Sequence, residues 1–324
     1  MPTRWPSVAT VVLNYRSEAD TVACVRALRR STVLNQQLLI VDNAEPGDQH
    51  EQLRALFDER VTVLASGGNL GYAAGNNVGI RAALPGKPEF FLLVNPDVEV
   101  SETALEHMLA AADEVPESGV IGARIVQGHQ TPARLLYDGG VIDRTRFGAT
   151  SHLHMGRLLD DVPRTGVRDT DYVTGAGMLI RRAVIERVGL IPEDYFLYFE
   201  ETDFCLQVQK AGWRTVVADD ALLHHHKRSS GVLPTPYYLY YMTRNRLLFG
   251  RRHFDADPDL TLEDFRRTFL DPWREKVQRN APGWLPSFEV LVERAVADAR
   301  AGVTGRADVV DTIDAPQATA ATSA

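Results

Sequence analysis

Phe90-Phe91-Leu92-Leu93-Val94-Asn95-Pro96-Asp97 is an apolar run that halts at a proline and a carboxylate. A strand apolar at every position is buried on both faces, as in a parallel sheet covered by helices. Proline brings no N–H to a ladder, so pairing stops at Pro96 and Asp97 faces the crevice at the strand's carboxyl end. A hard divalent cation is usually held there by one or two carboxylates plus substrate phosphates. Glu99 stands two residues on, in a short acidic stretch that also suits a solvated surface. A turn or a helix N-cap accounts for Asp97 taken alone.

Upstream, the chain repeats one pattern. Val8 to Leu13 and Leu38 to Val41 read as buried strands, the second ending in Asp42-Asn43. Ser17 and Asp20 open a helix with Val22, Val25 and Leu28 at helical spacing. A helix near Gln49 to Phe57 and a strand from Val61 to Ala65 follow. The loop Ser66-Gly67-Gly68-Asn69-Leu70-Gly71 then leads into a helix through Asn77, Ile80 and Ala83, and another helix covers Glu102 to Ala112. This alternation predicts an α/β fold with a parallel sheet and its ligand crevice near Asn14, Asp42, Asn69 and Asp97.

The second half reads differently. Strands near Val120 to Val126 and Leu135 to Ile142 suggest a hairpin or mixed sheet, and Val173 to Arg182 another strand, interrupted at Gly175-Ala176-Gly177. Arg157 to Asp169, rich in charge with Pro163 and Gly166, is expected to be a mobile loop that orders over bound ligand. A helix from Glu200 to Ala211 and a strand from Arg214 to Ala218 precede His224-His225-His226. Further helices are expected at Pro236 to Arg252, Leu262 to Gln278 and Ser287 to Ala301. The resulting division is a catalytic domain over 1–230, with halves at about 1–115 and 116–230, then a helical region over 231–302 and a disordered tail over 303–324.

The chain has 324 residues, 44% hydrophobic and 24% charged, with a formal charge of -8. That charge argues against broad nucleic-acid or anionic-membrane binding. Cys24 and Cys205 have no metal or redox spacing and read as buried small hydrophobes. No signal peptide is read at Met1-Pro2-Thr3-Arg4-Trp5, and no apolar run nears the ~20 residues of a membrane span. The expectation is a cytoplasmic protein, with Arg251-Arg252-His253-Phe254 as the candidate for peripheral contact at the inner face of the membrane.

The densest chemistry lies in Tyr198-Phe199-Glu200-Glu201-Thr202-Asp203-Phe204. Carboxylates in a first helical turn gain only ~0.3–1 kcal/mol each from the helix dipole, against their mutual repulsion. The flanking aromatics Tyr195 to Phe199 would desolvate a carboxylate and make it more basic. The three histidines cannot all face one way along a strand, so one or two point into the site. The Gly67 to Asn77 loop has neither G-x-G-x-x-G spacing nor a P-loop lysine, but its small residues permit close backbone approach to a ligand.

Taken in order, Val11-Val12-Leu13-Asn14-Tyr15, Ile40-Val41-Asp42-Asn43-Ala44, Gly68-Asn69-Leu70-Gly71-Tyr72, Leu93-Val94-Asn95-Pro96-Asp97, Gly175 to Arg182, Tyr198 to Asp203, Ala211-Gly212-Trp213, Leu223-His224 and Arg244-Asn245-Arg246 resemble a family 2 glycosyltransferase. The resemblance covers residues 7 to 250, within the branch of bacterial rhamnosyltransferases and galactofuranosyltransferases. It implies a GT-A fold with a C-terminal helical extension, a nucleotide-sugar donor, a divalent metal (Mn2+ or Mg2+) and inversion at the anomeric carbon. By position, Asp42 would contact the nucleotide base near Asn14 and the Asn69 loop, with Gly71, Asn76, Asn95 and Arg244 as further donor contacts. Asp97 stands where the last Asp of the family's D-x-D motif binds metal, and Asn95 replaces its first member. Glu201 stands at the base position, with Glu200 and Asp203 orienting it or the acceptor, and His224 at the metal- or diphosphate-binding histidine. The family's frequent D-N-x-S-x-D continuation is replaced by Asp42 to Asp48.

The implied reaction is direct displacement, with Glu201 taking the acceptor's proton and Asp97, His224 and Arg244 neutralising the diphosphate. The favoured donors are dTDP-rhamnose-like or UDP sugars. The acceptor is left open among a glycan, a lipid-linked glycan and a small molecule, and a homodimer is left open through the C-terminal helices. A nucleotidyltransferase of similar fold would have a basic, glycine-rich first loop, unlike Asn14-Tyr15-Arg16-Ser17. A non-catalytic nucleotide-sugar or glycan-binding protein would need no base.

Overall fold

The computed structural model describes residues 5–226 and 233–317. Of these, 5–141, 151–193 and 200–226 form one compact unit, and 142–150, 194–199 and 233–317 a second. The strands are β1 (Val8–Asn14), β2 (Gln36–Asp42), β3 (Val61–Ala65), β4 (Phe90–Val94), β5 (Val98–Val100), β6 (Ser118–Gln127), β7 (Leu135–Tyr137), β8 (Gly140–Asp143), β9 (Ala149–His152), β10 (Val167–Asp169), β11 (Gly177–Arg181) and β12 (Arg214–His225). The helices are α1 (Glu18–Leu28), α2 (Asp48–Ala55), α3 (Gly71–Ala83), α4 (Ala104–Glu114), α5 (Arg182–Val188), α6 (Glu200–Lys210), α7 (Pro236–Phe254), α8 (Pro258–Phe265), α9 (Asp271–Asn280) and α10 (Leu285–Ala301).

The first unit is built on a sheet ordered β10-β12-β6-β11-β4-β1-β2-β3. The β4-β1-β2-β3 half is wholly parallel, as the alternation predicted. Every residue of β1 and β4 is buried: β4 is apolar throughout, and β1 is apolar except for Thr10, whose hydroxyl donates to Gln36, and Asn14 at its end. Beyond β4 the sheet is mixed, with β11 antiparallel to both neighbours and β12 parallel to β6. Helix α3 lies hard against β1: a Cβ added at Gly79 would stand 2.5 Å from Val11 Cγ1. Asn77 fastens the same helix, donating to the Ile191 carbonyl at 2.8 Å and to Glu193 at 2.9 Å.

β12 is irregular. Ala218 lies opposite Ala123 and Leu222 opposite Arg124, so Asp219 to Ala221 bulge out of register. The bulge turns Asp219 into a buried ion cluster. Its carboxylate accepts from Arg168 Nε at 2.8 Å and from the Thr165 backbone N–H at 2.8 Å, with Arg124 Nη2 at 3.4 Å. Arg124 also donates to Asp138 at 3.1 Å, and His154 Nδ1 lies 2.6 Å from the other Asp138 oxygen. Arg168 also pairs with Asp138. The expected mobile loop over 157–169 therefore contains an edge strand, β10, with Arg168 locked at both ends of its guanidinium.

In the second unit α7 starts at Thr235, whose hydroxyl accepts from the Tyr238 N–H, and Pro236 occupies the first turn. The expected helix over Leu262 to Gln278 is instead α8 and α9 joined by a π-helical turn at Arg266–Leu270. Residues 302–317 are ordered against α7, unlike the expected tail: the Ala307 N–H donates to Tyr241 Oη and Arg244 to the Gly305 carbonyl. The rest of that expectation, 318–324, lies outside the described residues. Arg252, a proposed membrane contact, pairs with Asp194 at 2.5 Å and lies over the Tyr195 ring. Among the described residues no helix is long and apolar enough to cross a membrane.

Removing one member of a buried ion cluster leaves opposite charges uncompensated, at about 3–5 kcal/mol. Asp219→Ala is expected to lower the unfolding free energy by about that amount in urea titration. A loss under 1 kcal/mol would mean that the bulge stands without its carboxylate.

Candidate active site

Parallel register sets Asn14 and Asp42 side by side at the carboxyl ends of β1 and β2. Asn14 Nδ2 donates to Asp42 Oδ1 at 3.3 Å, and Asn14 Oδ1 accepts from the Thr21 hydroxyl at 2.9 Å. His50, from α2, brings Nδ1 to 3.3 Å from Asp42 Oδ2. Asn43 joins this cradle to the next loop, donating to Asn69 Oδ1 at 3.3 Å and to the Gly71 carbonyl at 3.2 Å, and accepting from the Leu70 N–H. Asn69 Oδ1 in turn accepts from the Gly71 N–H at 3.1 Å. Gly71 itself has a φ of 83°, open to glycine without strain.

Tyr72 follows in α3 and donates its hydroxyl to the Gly175 carbonyl at 2.5 Å. A Cβ at Gly175 would collide with that phenol ring, so the approach requires glycine. Burial drives the Tyr72 hydroxyl's pKa well above its ordinary value, and the nearby Glu200 and Glu201 charges push it further. Next to Gly175, the Ala176 carbonyl accepts from the Asn95 N–H at 3.3 Å. Tyr72 thus links α3 to the Gly175–Ala176 backbone that meets the end of β4.

Asn95 to Val98 is a β-turn closed by the Val98 N–H on the Asn95 carbonyl at 3.2 Å, with proline at the second position. Asp97 emerges from it with its side chain one-third exposed, 3.6 Å from His225 Nδ1. Of the three histidines, the resemblance placed His224 here, but it is His225 that faces Asp97. His224 gives its Nδ1 hydrogen to the Gly128 carbonyl at 2.9 Å and packs on His129 at 4.5 Å between ring centroids. Glu99 meets His129 Nε2 at 3.1 Å and His226 Nε2 at 3.5 Å. Partial burial raises the Glu99 pKa, but the His129 hydrogen bond and charge, with His226 and Arg30, outweigh it and leave the carboxyl lowered.

At the start of α6 the carboxylates separate by environment. Glu200 and Asp203 are buried, and Asp203 Oδ1 accepts from Gln207 Nε2 at 2.6 Å, one turn along. Glu201 is half-buried, and burial pushes its pKa up to about 7 against the pull of its own and Thr202's backbone N–H groups.

Two expected donor contacts have other occupations. Asn76 is buried and donates to the Tyr72 carbonyl within its own helix, at 2.9 Å. Arg244 has no exposure. It donates to the Tyr195 and Gly305 carbonyls and to the Asn245 amide oxygen, beneath the Tyr240 and Tyr241 rings. Its guanidinium is a clamp within the second unit and is not presented to a phosphate. Beside it, Asn245 Nδ2 lies 2.8–3.0 Å from the carbonyls of Tyr195, Leu197 and Tyr198. Asn43, His50 and Tyr72 were not among the expected site residues. The Asp42-Asn43 pair at a strand end was a usable signal for Asn43, whereas nothing local marks His50.

The family model described as "Glycosyl transferase family 2" matches residues 7–189. A low-salt glycan biosynthesis hexosyltransferase of Haloferax volcanii is 26% identical over 259 residues, 78% of each chain. An N-acetylglucosaminyl-diphospho-decaprenol L-rhamnosyltransferase of Mycobacterium tuberculosis is 26% identical over 262 residues, 75% of this chain and 84% of that one. Among solved structures, a mannosyltransferase from Pyrobaculum calidifontis in complex with GDP-Man and Mn2+ superposes with a TM-score of 0.54 at 14% identity, over 96% of this chain and 79% of that one. The fold is of the GT-A class.

Glu201 binds its proton more tightly in the folded protein than at the ordinary glutamate value of 4.5. The stability contributed by the protonated form is therefore complete below about pH 4.5 and is lost as pH rises through about 7. Glu201→Gln keeps the shape without the titration. Its unfolding free energy, followed by urea titration from pH 4.5 to 8, should lack that decline, and a parallel decline in both proteins would assign it elsewhere.

Proposed function

The chain belongs to glycosyl transferase family 2, and we propose that it inverts the anomeric carbon of a nucleotide-diphosphate sugar by direct displacement with Glu201 as base. The observation that carries this is the 3.6 Å approach of His225 to Asp97 at the carboxyl end of β4, with Glu200 and Glu201 near enough to Tyr72 for their charges to raise its hydroxyl's pKa. A catalytic domain over 1–230 followed by a helical region remains part of the proposal, without the disordered tail, since Gly305 and Ala307 are bonded to α7.

The nucleoside would lie against Asn14, Asp42 and His50, with the Asn69–Gly71 turn offering close backbone approach. One carboxylate and one imidazole fit a divalent cation that takes its remaining ligands from phosphate oxygens and water. Held by Asp97 and His225, a Mn2+ or Mg2+ ion would supply positive charge at the departing diphosphate.

Glu201 accepts the acceptor hydroxyl's proton as its oxygen bonds to the anomeric carbon. The bond from that carbon to the diphosphate oxygen breaks, and its electron pair leaves with the diphosphate. A pKa of about 7 suits this task, since the carboxylate is available near neutrality and still basic enough to take a proton. Glu200 and Asp203 hold the turn in place.

The mycobacterial relative's name supports a rhamnose donor and a diphospho-polyprenol-linked acceptor; dTDP as the carrier of that rhamnose, and a place in polysaccharide biosynthesis at the inner face of a membrane, are this proposal's own. UDP sugars are the alternative donors. Membership of the family sets aside the nucleotidyltransferase reading.

General base catalysis contributes roughly 10²–10⁴-fold. With dTDP-rhamnose and a polyprenyl-diphospho-sugar acceptor, Glu201→Gln should lower kcat by about that factor while donor affinity in calorimetry holds. Turnover near that of the unsubstituted enzyme would remove Glu201 from the role.

Loss of a ligand should also change the Mn2+ concentration needed for half-maximal turnover. Asp97→Asn and His225→Ala are expected to raise it by about 10–100-fold, and His224→Ala by less than about 2-fold, since His224 packs on His129 instead. The reverse order for the two histidines would return the role to His224.

A further inference from the structure

We propose that Glu99, His129 and His226 form a second cation site, separate from the Asp97–His225 pair, that takes a borderline transition-metal ion such as Zn2+. The three residues come from β5, the turn after β6 and the end of β12, so no local sequence effect brings them together. Their ligand atoms all lie within 4.8 Å of one another: Glu99 Oε2 is 3.1 Å from His129 Nε2 and 3.5 Å from His226 Nε2. Two imidazole nitrogens and one carboxylate oxygen are a ligand set for Zn2+, Ni2+ or Co2+, with room for water at the remaining position.

The surroundings prepare the site. Arg30 Nη2 holds the other Glu99 oxygen at 3.4 Å, leaving Oε2 to the imidazoles. His224 pairs with Glu99 across the β5–β12 ladder, and its ring lies against His129. A carbonyl only accepts, so the Nδ1 contact with Gly128 requires a hydrogen there and fixes the His224 ring. His224 is thus a positioning residue for His129. Strand alternation explains why the two sites stay distinct. His225 sits opposite Val98 on the other face of the ladder, so neighbouring histidines serve different groups. An exposed His–Glu contact by itself contributes little, which gives little reason for two imidazoles to converge on one oxygen. A shared cation accounts for the convergence.

The test is calorimetric titration of the full chain with ZnCl2 alone, without nucleotide. It is run on the unsubstituted protein and in an Asp97→Asn background that removes the proposed catalytic cation site. Zn2+ should bind with the same affinity in both. His129→Ala and His226→Ala, each added to Asp97→Asn, should weaken binding by at least about 10-fold. Both side chains are exposed, so these variants are expected to fold. Co2+ should give a visible absorption band in the Asp97→Asn protein that His129→Ala removes. The proposal is overturned if Asp97→Asn by itself abolishes Zn2+ binding, if the histidine variants bind as tightly as their parent, or if no binding occurs at millimolar Zn2+. None of these outcomes bears on Mn2+-dependent turnover, so this site and the catalytic reading stand or fall separately.

Discussion

Asp219 is held at the β12 bulge by Arg168, Arg124 and the Thr165 N–H, and the end of the sheet that brings His225 to Asp97 depends on that bulge. Side chains alternate along a strand, so interposing an odd number of residues exchanges the faces of everything that follows. Asp219 to Ala221 are three residues interposed against β6. With a regular β12, His225 would exchange faces with its neighbours and turn away from Asp97. A buried carboxylate among arginines is a weak source of net stability. Here its consequence is register, which fixes the imidazole that meets the carboxylate at the end of β4.

The second unit uses polar groups in a similar way. Phe196, Tyr198 and Phe199 all have positive φ, at roughly 1–3 kcal/mol each for residues with side chains. The Asn245 amide reaches three carbonyls of that segment, and Arg244 reaches one of them again. At about 1 kcal/mol net per hydrogen bond, these four contacts are of the same order as that cost. Aromatic packing adds to them, with Phe196 stacked on Tyr241 and Tyr198 edge-on to Tyr238. Arg244-Asn245-Arg246 therefore shapes a backbone. Burial lowers the Arg246 pKa to about 10, in keeping with an interior guanidinium given to the Arg146 and Phe147 carbonyls.

Carboxylates of one chemical type are divided by environment into different tasks. Asp97 is partly exposed beside an imidazole, Glu99 is lowered by His129, and burial raises Glu201 to about 7. In the proposed reaction the proton acceptor needs the last of these settings, whereas a proposed cation ligand needs to stay ionised. Tyr72 belongs with Glu201 in this respect, since both are displaced by burial in the same locality.

The sequence by itself determined the parallel β4-β1-β2-β3 half, because the strands at its centre, buried on both faces, are largely apolar and their ends carry the change to polar residues. The register pair Asn14–Asp42, the turn at Asn95-Pro96-Asp97 and the acidic start of α6 were legible for that reason. The sequence also marked the histidine triplet but could not choose within it, since strand parity depends on the bulge and the bulge on a distant arginine cluster. Arg244 illustrates the same limit: an arginine bound for a phosphate and one bound for backbone carbonyls have the same one-letter code. Tertiary structure alone decided which carbonyls Arg244 meets, which histidine faces Asp97 and how far burial lifts Glu201. Each of those depends on groups brought together from far apart along the chain.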